Sequence, residues 1–298
     1  MRRRAFLSSV GIAALAGCSN GGGSDGTATP TPSPTGSGSP NFELVTVEYA
    51  ESTPLNNPTS FAIGVENTGT GRGTFTSELD QRLGDGEWET AGELEMPLAA
   101  GERGEWHSPR FMPRYLTTFH FRLDAFDRTW STEAVPAEYD FGIRYATPND
   151  LFVNVLGGSF ESAYPTASNE TATDGTASNE TATDGTASNE TATDGTVTPT
   201  TPPDGQVWAV MRVDVRNRLQ EPQPAPAPST FTLEVDGEQR PLRQDVTADP
   251  YEGGSLGGRT VRRGDLVYPV PAGTEANDLR LTWAWSLEDG DVKVIWTK

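Results

Sequence analysis

The chain has 298 residues, room for two domains at most at roughly 100–200 residues per domain. Only 34% of it is hydrophobic, and 32 Gly and 23 Pro imply that a good part never enters a core. The 42 acidic residues against 22 basic give −20, or 42 against 19 and −23 once Arg2, Arg3 and Arg4 are set aside, which excludes a nucleic-acid partner from the expected ones, while a single cysteine excludes an internal disulfide and a Cys-x-x-Cys site.

Arg2-Arg3-Arg4 forms a basic start, and Ala5 to Gly17 is a short apolar stretch closed by Leu15-Ala16-Gly17-Cys18. Thirteen apolar-rich residues cannot span a bilayer core about 30 Å thick as a helix, so residues 1–17 read as a leader and not as a membrane anchor. The segment Arg3-Arg4-Ala5-Phe6-Leu7 resembles the twin-arginine export signal, and Leu15-Ala16-Gly17-Cys18 resembles a lipoprotein lipobox. That resemblance implies export in the folded state and cleavage before Cys18. Its thiol would then carry a lipid that ties the chain to the outer face of the cytoplasmic membrane.

Residues 18–40 hold no large apolar side chain and are rich in Gly, Ser, Thr and Pro, the composition of a lipidated tether. Gly17-Cys18-Ser19-Asn20-Gly21 matches the G-x-S-x-G pattern of a nucleophile elbow. An elbow needs a strand before it and a helix after it, and neither is expected here. The acidic residues are spread along both expected domains, and lysine occurs only at Lys293 and Lys298. Such self-repulsion is tolerable where salt screens it, at a Debye length of roughly 3 Å in 1 M salt. This charge pattern reads as that of an extreme halophile, archaeal in origin.

From Phe42 the apolar period becomes two. Val45, Val47 and Tyr49 alternate, then Phe61, Ile63 and Val65, then Phe75, Ser77 and Leu79, and later Phe119, Phe121 and Leu123, with His120, Arg122 and Asp124 opposite them. Asp85-Gly86 lies between two such runs, where both turn residues would take positive φ. Strands with turn signals every 8–12 residues predict a small antiparallel sandwich over residues 41–137. The stretch Ala62 to Gly71, with Asn67-Thr68-Gly69, and the later Leu98-Ala99-Ala100-Gly101-Glu102 resemble the CARDB-type, Ig-like adhesion-related module. The resemblance implies a spacer or adhesive role and brings no catalytic residue.

Thr166–Gly175, Thr176–Gly185 and Thr186–Gly195 are identical copies of TASNETATDG. A unit without a large apolar side chain cannot stack into a solenoid, so residues 165–204 are expected to stay outside any core. Each copy holds Asn-Glu-Thr, making Asn169, Asn179 and Asn189 candidate N-glycosylation sites. Beyond the repeat, period two returns. Val207, Ala209, Met211, Val213 and Val215 share a face up to Asn217. Phe231, Leu233 and Val235 lead to Asp236-Gly237, and Leu281, Trp283 and Trp285 precede Asp289-Gly290 and Val292, Val294 and Trp296. Val207 to Asn217, Gly264 to Pro271 and Leu279 to Trp283 resemble the DUF4352-type immunoglobulin-like lipoprotein domain. That family opens with a strand pair, which Phe141 to Phe160 would supply, making residues 138–298 one domain with the repeat as an inserted loop. The alternative is an interdomain linker, with residues 205–298 folding alone.

The expected fold class is therefore all-β, with two small antiparallel Ig-like sandwiches. His107 and His120 fit no Ser/His/Asp or paired-His spacing and read as surface histidines. Asp245, Asp249 and Glu252 share one loop that could attract Ca²⁺, but without EF-hand spacing, so no metal is assigned. At least some of Trp283, Trp285 and Trp296 should fill cores. With no catalytic residue and no cofactor assigned, the expected function is that of a non-enzymatic cell-surface lipoprotein. It would be held to the membrane through Cys18 and would present its domains to a protein or envelope polymer for adhesion, scaffolding or accessory binding. A solute-binding lipoprotein serving a membrane transporter or receptor is the alternative. Binding proteins of that kind are larger and α/β, and the lack of a helical period counts against it.

Overall fold

The computed structural model describes residues 38–164 and 199–298. The leader, Arg3, Arg4, Cys18 and nearly all of the tether lie outside the described residues, as do the three repeats with Asn169, Asn179 and Asn189. No α-helix occurs among the described residues; four single 3-10 turns interrupt an all-β chain. Two units are distinguished. One runs through Thr53 and adds Pro58–Met112 and Thr117–Ala134; the other takes Pro54–Asn57, Pro113–Leu116 and Val135–Lys298.

The first unit is built from β1 (Phe42–Glu48), β2 (Ser52–Pro54), β3 (Ala62–Asn67), β4 (Gly73–Leu83), β5 (Glu89–Leu98), β6 (Arg103–His107), β7 (Thr118–Leu123) and β8 (Arg128–Val135). They form a sheet ordered β1-β3-β6 and a sheet ordered β2-β8-β7-β4-β5. Between them Phe61, Ile63, Val65, Phe75, Leu79, Leu94, Met96, Leu98, Phe121, Leu123 and Trp130 are buried in one core. Each such side chain contributes roughly 1.5–3 kcal/mol. Phe61 is the hub of its aromatic part, with ring centroids 4.7 Å from Phe121 and 5.0 Å from Trp130.

The alternation expected at Val45, Val47 and Tyr49 is corrected. The register of β1 against β3 shifts between Leu44 and Thr46, so Phe42, Leu44 and Val47 pack on the core, while Val45 is 44% and Tyr49 37% exposed. An irregularity of this kind flips every side chain beyond it. The β4–β5 hairpin forms where expected, but Gly84 takes the positive φ (53°), not Asp85 or Gly86, and the Gly86 N–H donates to the Leu83 carbonyl at 3.0 Å.

The second unit comprises β9 (Ala137–Asp140), β10 (Arg144–Ala146), β11 (Leu151–Glu161), β12 (Gln206–Asn217), β13 (Gln223–Ala225), β14 (Phe231–Val235), β15 (Glu238–Arg240), β16 (Gly254–Leu256), β17 (Val261–Pro271), β18 (Leu279–Leu287) and β19 (Gly290–Thr297). A four-stranded sheet, β10-β11-β12-β17, faces a five-stranded sheet, β15-β14-β18-β19-β9, and β13 pairs with β16. Among the described residues the strands pair antiparallel except β9 on β19, which is parallel, as is the isolated bridge between Pro250 and Asp265. Tyr145 meets Trp283 edge-on at 5.9 Å across the sandwich, and the Tyr268 hydroxyl donates to the Phe231 carbonyl at 3.2 Å. Trp283 and Trp296 are fully buried and Trp285 is half-buried.

Residues 165–198 fall between β11 and β12, which are paired neighbours in one sheet from Leu151–Asn217 to Glu161–Trp208. Tyr164 and Thr200 close that pair with reciprocal backbone hydrogen bonds of 3.0 and 2.9 Å. Within it the register shifts between Val155 and Gly158. A Cβ on Gly158 would stand 1.7 Å from the Val210 carbonyl oxygen, so only glycine lets β11 approach β12 there.

Candidate interaction surface

Strand β12 is buried on both faces, not on one as its alternation suggests. Met211, Val213 and Val215 point into the sandwich. On the other face Trp208 and Val210 form a small second core with Val267 of β17, Val246 and the half-buried Tyr164. Beyond that patch the same outer face turns ionic, because β12 reads Arg212, Asp214 and Arg216 at alternate positions, and Arg218 follows directly after the strand ends at Asn217.

Register sets which side chains stand side by side. One row across β10, β11, β12 and β17 is Arg144, Asn154, Asp214, Arg263, and the next is Ala146, Phe152, Arg216, Val261. Asp214 is buried yet held by two arginines: Arg216 donates to it through Nε at 3.0 Å and Nη2 at 3.2 Å, and Arg263 through Nε at 2.9 Å. Burial pushes the Asp214 carboxyl up, and these hydrogen bonds more than reverse it, leaving the group below the usual carboxylate range. One row further on, Arg212 donates to Asp265 at 3.1 Å and to Asp249 at 2.7 Å, and the Tyr164 hydroxyl also donates to Asp265. These carboxylates are already satisfied, so this stretch is a structural ion-pair network.

At the β10–β11 end the arginines are differently placed. The Arg144 guanidinium lies 5.2 Å and that of Arg218 4.7 Å from the Phe152 ring centroid. Among the described residues neither has a carboxylate within ion-pair distance. Arg144, Arg216, Arg218 and Arg263 are exposed, and Val261 beside them is 46% exposed. The first unit carries a smaller version of the motif, with Arg82 and Arg122 each 5.0 Å from the Trp88 centroid. There Arg122 is engaged by Asp80 at 2.7 Å.

The residues weighed from sequence do not assemble into a site. His107 ends β6 with its Nε2 2.8 Å from Glu105, both exposed, and His120 lies in β7 across from Arg82. Asp245 pairs with Arg243 at 2.7 Å and Asp249 with Arg212, while Glu252 offers only its backbone carbonyl, to Arg262. Among the described residues no three His, Cys, Asp or Glu side chains converge in a metal-binding group. The arginine and aromatic stacks were missed in the sequence, because Arg144, Phe152 and Arg218 meet only through strand register.

No family model and no curated protein matches the sequence, and so neither the CARDB-type nor the DUF4352-type resemblance gains support there. Among solved structures the chain is similar to a candidate lipoprotein of Bacillus subtilis, at 12% identity and a TM-score of 0.32, over 53% of this chain and 39% of that one. It is also similar to an uncharacterized β-sandwich protein of Clostridium difficile, at 12% identity and a TM-score of 0.33, over 55% of this chain and 94% of that one. The chain thus spans well under half of the first. The all-β assignment rests on the strand pairings themselves, and neither likeness bears on function.

Proposed function

We propose that the protein is a non-enzymatic, lipid-anchored cell-surface protein whose two β-sandwiches act as interaction modules. The observation that carries this reading is the single cysteine of the chain, Cys18, set directly after Leu15-Ala16-Gly17 and a short apolar stretch that begins with paired arginines. The sandwiches fit the role. Their cores are filled by aromatic and aliphatic side chains, and their distinctive polar features, the arginine and aromatic stacks, stand on outer sheet faces. Glycans on Asn169, Asn179 and Asn189 belong to the same reading, as does a saline habitat.

The test is fractionation of cells expressing the wild type and Cys18→Ser. The wild type should partition with membranes and the variant should be released in folded form, because no helix among the described residues is long and apolar enough to cross a membrane. Equal membrane retention of the two would overturn the anchor.

A further inference from the structure

We propose that the outer face of the β10-β11-β12-β17 sheet is a binding surface for a polyanionic polysaccharide, one whose sugar units carry carboxylate or sulfate groups. Arg144 and Arg218 stack on Phe152, Arg216 is its cross-strand neighbour with the exposed Val261 in the same row, and Arg263 stands in the adjacent row beside Asp214. This inference rests on reading the second sandwich as an interaction module, and not on the lipid anchor.

Charge is the first argument. The chain is strongly acidic, with 42 Asp and Glu against 22 Lys and Arg, yet this patch shows four guanidiniums to solvent around one carboxylate. That carboxylate, Asp214, is buried and already bonded to Arg216 and Arg263. Arg144 and Arg218 have no carboxylate partner among the described residues. A guanidinium in that position keeps its planar fork of donors available for an oxyanion, which it can engage through two parallel hydrogen bonds.

Extent is the second. Arg144 and Arg263 end one row across four strands, so three inter-strand steps, about 14 Å at 4.7–4.9 Å each, separate their backbones. Anchors that far apart suit a partner bearing several charges along its length better than a single small anion. The third argument is the ring. Stacking over Phe152 restrains the Arg144 and Arg218 guanidiniums, which lowers the ordering cost of contact. Phe152 and Val261 add the apolar surface that C–H-rich faces of sugar rings pack against.

The experiment uses the full chain carrying Cys18→Ser, so that binding is read apart from anchoring. Polygalacturonate, dextran sulfate and neutral dextran are titrated in about 0.15 M salt, where a Debye length of about 8 Å screens repulsion from the rest of the acidic chain. One or both charged polymers should bind and neutral dextran should not. Polygalacturonate alone would mark a carboxylated partner and dextran sulfate alone a sulfated one. Arg144→Gln/Arg218→Gln should weaken binding about tenfold or more. Arg103→Gln, which touches only an exposed pair with Glu66 in the first unit, should not change it. Because Arg144 and Arg218 are exposed and pair with no carboxylate among the described residues, the double variant strands no buried charge there, and an unchanged melting temperature verifies that it is folded. Binding of neither charged polymer, equal binding of neutral dextran, or an affinity unaffected by the double substitution would each overturn the proposal. Failure of this assay with Cys18-dependent membrane partitioning intact would leave the anchor reading standing.

Discussion

Two asparagines, one in each unit, do the same physical work. Asn67 at the end of β3 is fully buried; its amide donates to the carbonyls of Gly71 at 2.8 Å and Leu98 at 3.2 Å, and its Oδ1 accepts the N–H groups of Asn41 and Gly69. Asn217 at the end of β12 donates to Glu221, Leu256 and Gly257 and accepts from Leu219 at 2.9 Å. Each replaces the ladder partners that a strand loses where it ends. Asn217→Ala would leave carbonyls and an N–H without partners, and each net hydrogen bond is worth about 0.5–1.5 kcal/mol. Denaturant unfolding should show the second sandwich destabilised by about 2–4 kcal/mol, whereas Asn277→Ala, at an exposed position in the 3-10 turn Ala276–Asp278, should cost under about 1 kcal/mol. An Asn217→Ala midpoint equal to the wild type would contradict this role. Both strand-ending asparagines were visible in the sequence as positions, but their bonds were not, since the partners lie up to 40 residues away. Turn chemistry was legible to different degrees. Asp236 and Gly237 take φ of 54° and 77°, as Asp-Gly between strands predicts. Asp289-Gly290 is displaced by one residue, Gly290 being already paired with Leu287.

At the scale of elements, the strands of both sandwiches could be read from period two, but which strands bury a second face could not. Trp208 and Val210 count as outward residues by alternation and become core only because Tyr164 and Val246, distant in sequence, cover them. The same strand order collects tyrosines in the second unit. Burial raises the hydroxyls of Tyr145, Tyr251 and Tyr268 above their ordinary value of 10.0, and Tyr164 is pushed up to about 12, by burial first and its bond to Asp265 second. A folded-state pKa above the unfolded one means that the folded chain stays neutral while the unfolded chain ionises. The resulting stability is complete below pH 10 and drains away as pH rises toward and past about 12. Alkaline titration should therefore show tyrosinate absorbance appearing together with loss of the second sandwich's structure. Tyrosinate forming fully near pH 10 with the fold intact would disprove it.

For the molecule as a whole, the formal charge of −20 is the dominant field. Ion pairs such as those of Asp80, Asp214 and Asp265 neutralise individual carboxylates locally, but the surplus stays on the surface and opposes compaction. Raising monovalent salt from about 0.1 M to about 1 M shortens the Debye length from about 10 Å to about 3 Å. The melting temperature should rise over that range, and a flat profile would mean that surface repulsion is not felt by the fold. The closing pair of β11 and β12 carries one more implication. Tyr164 and Thr200 face each other, and Trp208 donates to the Thr200 carbonyl at 2.8 Å, so sheet register is complete on both sides of the gap without reference to what fills it. For two strands already in register, the length of the connection between them enters only through a closure entropy that grows logarithmically with the number of residues. In the laboratory, the same position is a natural port for a foreign epitope or a fluorescent reporter.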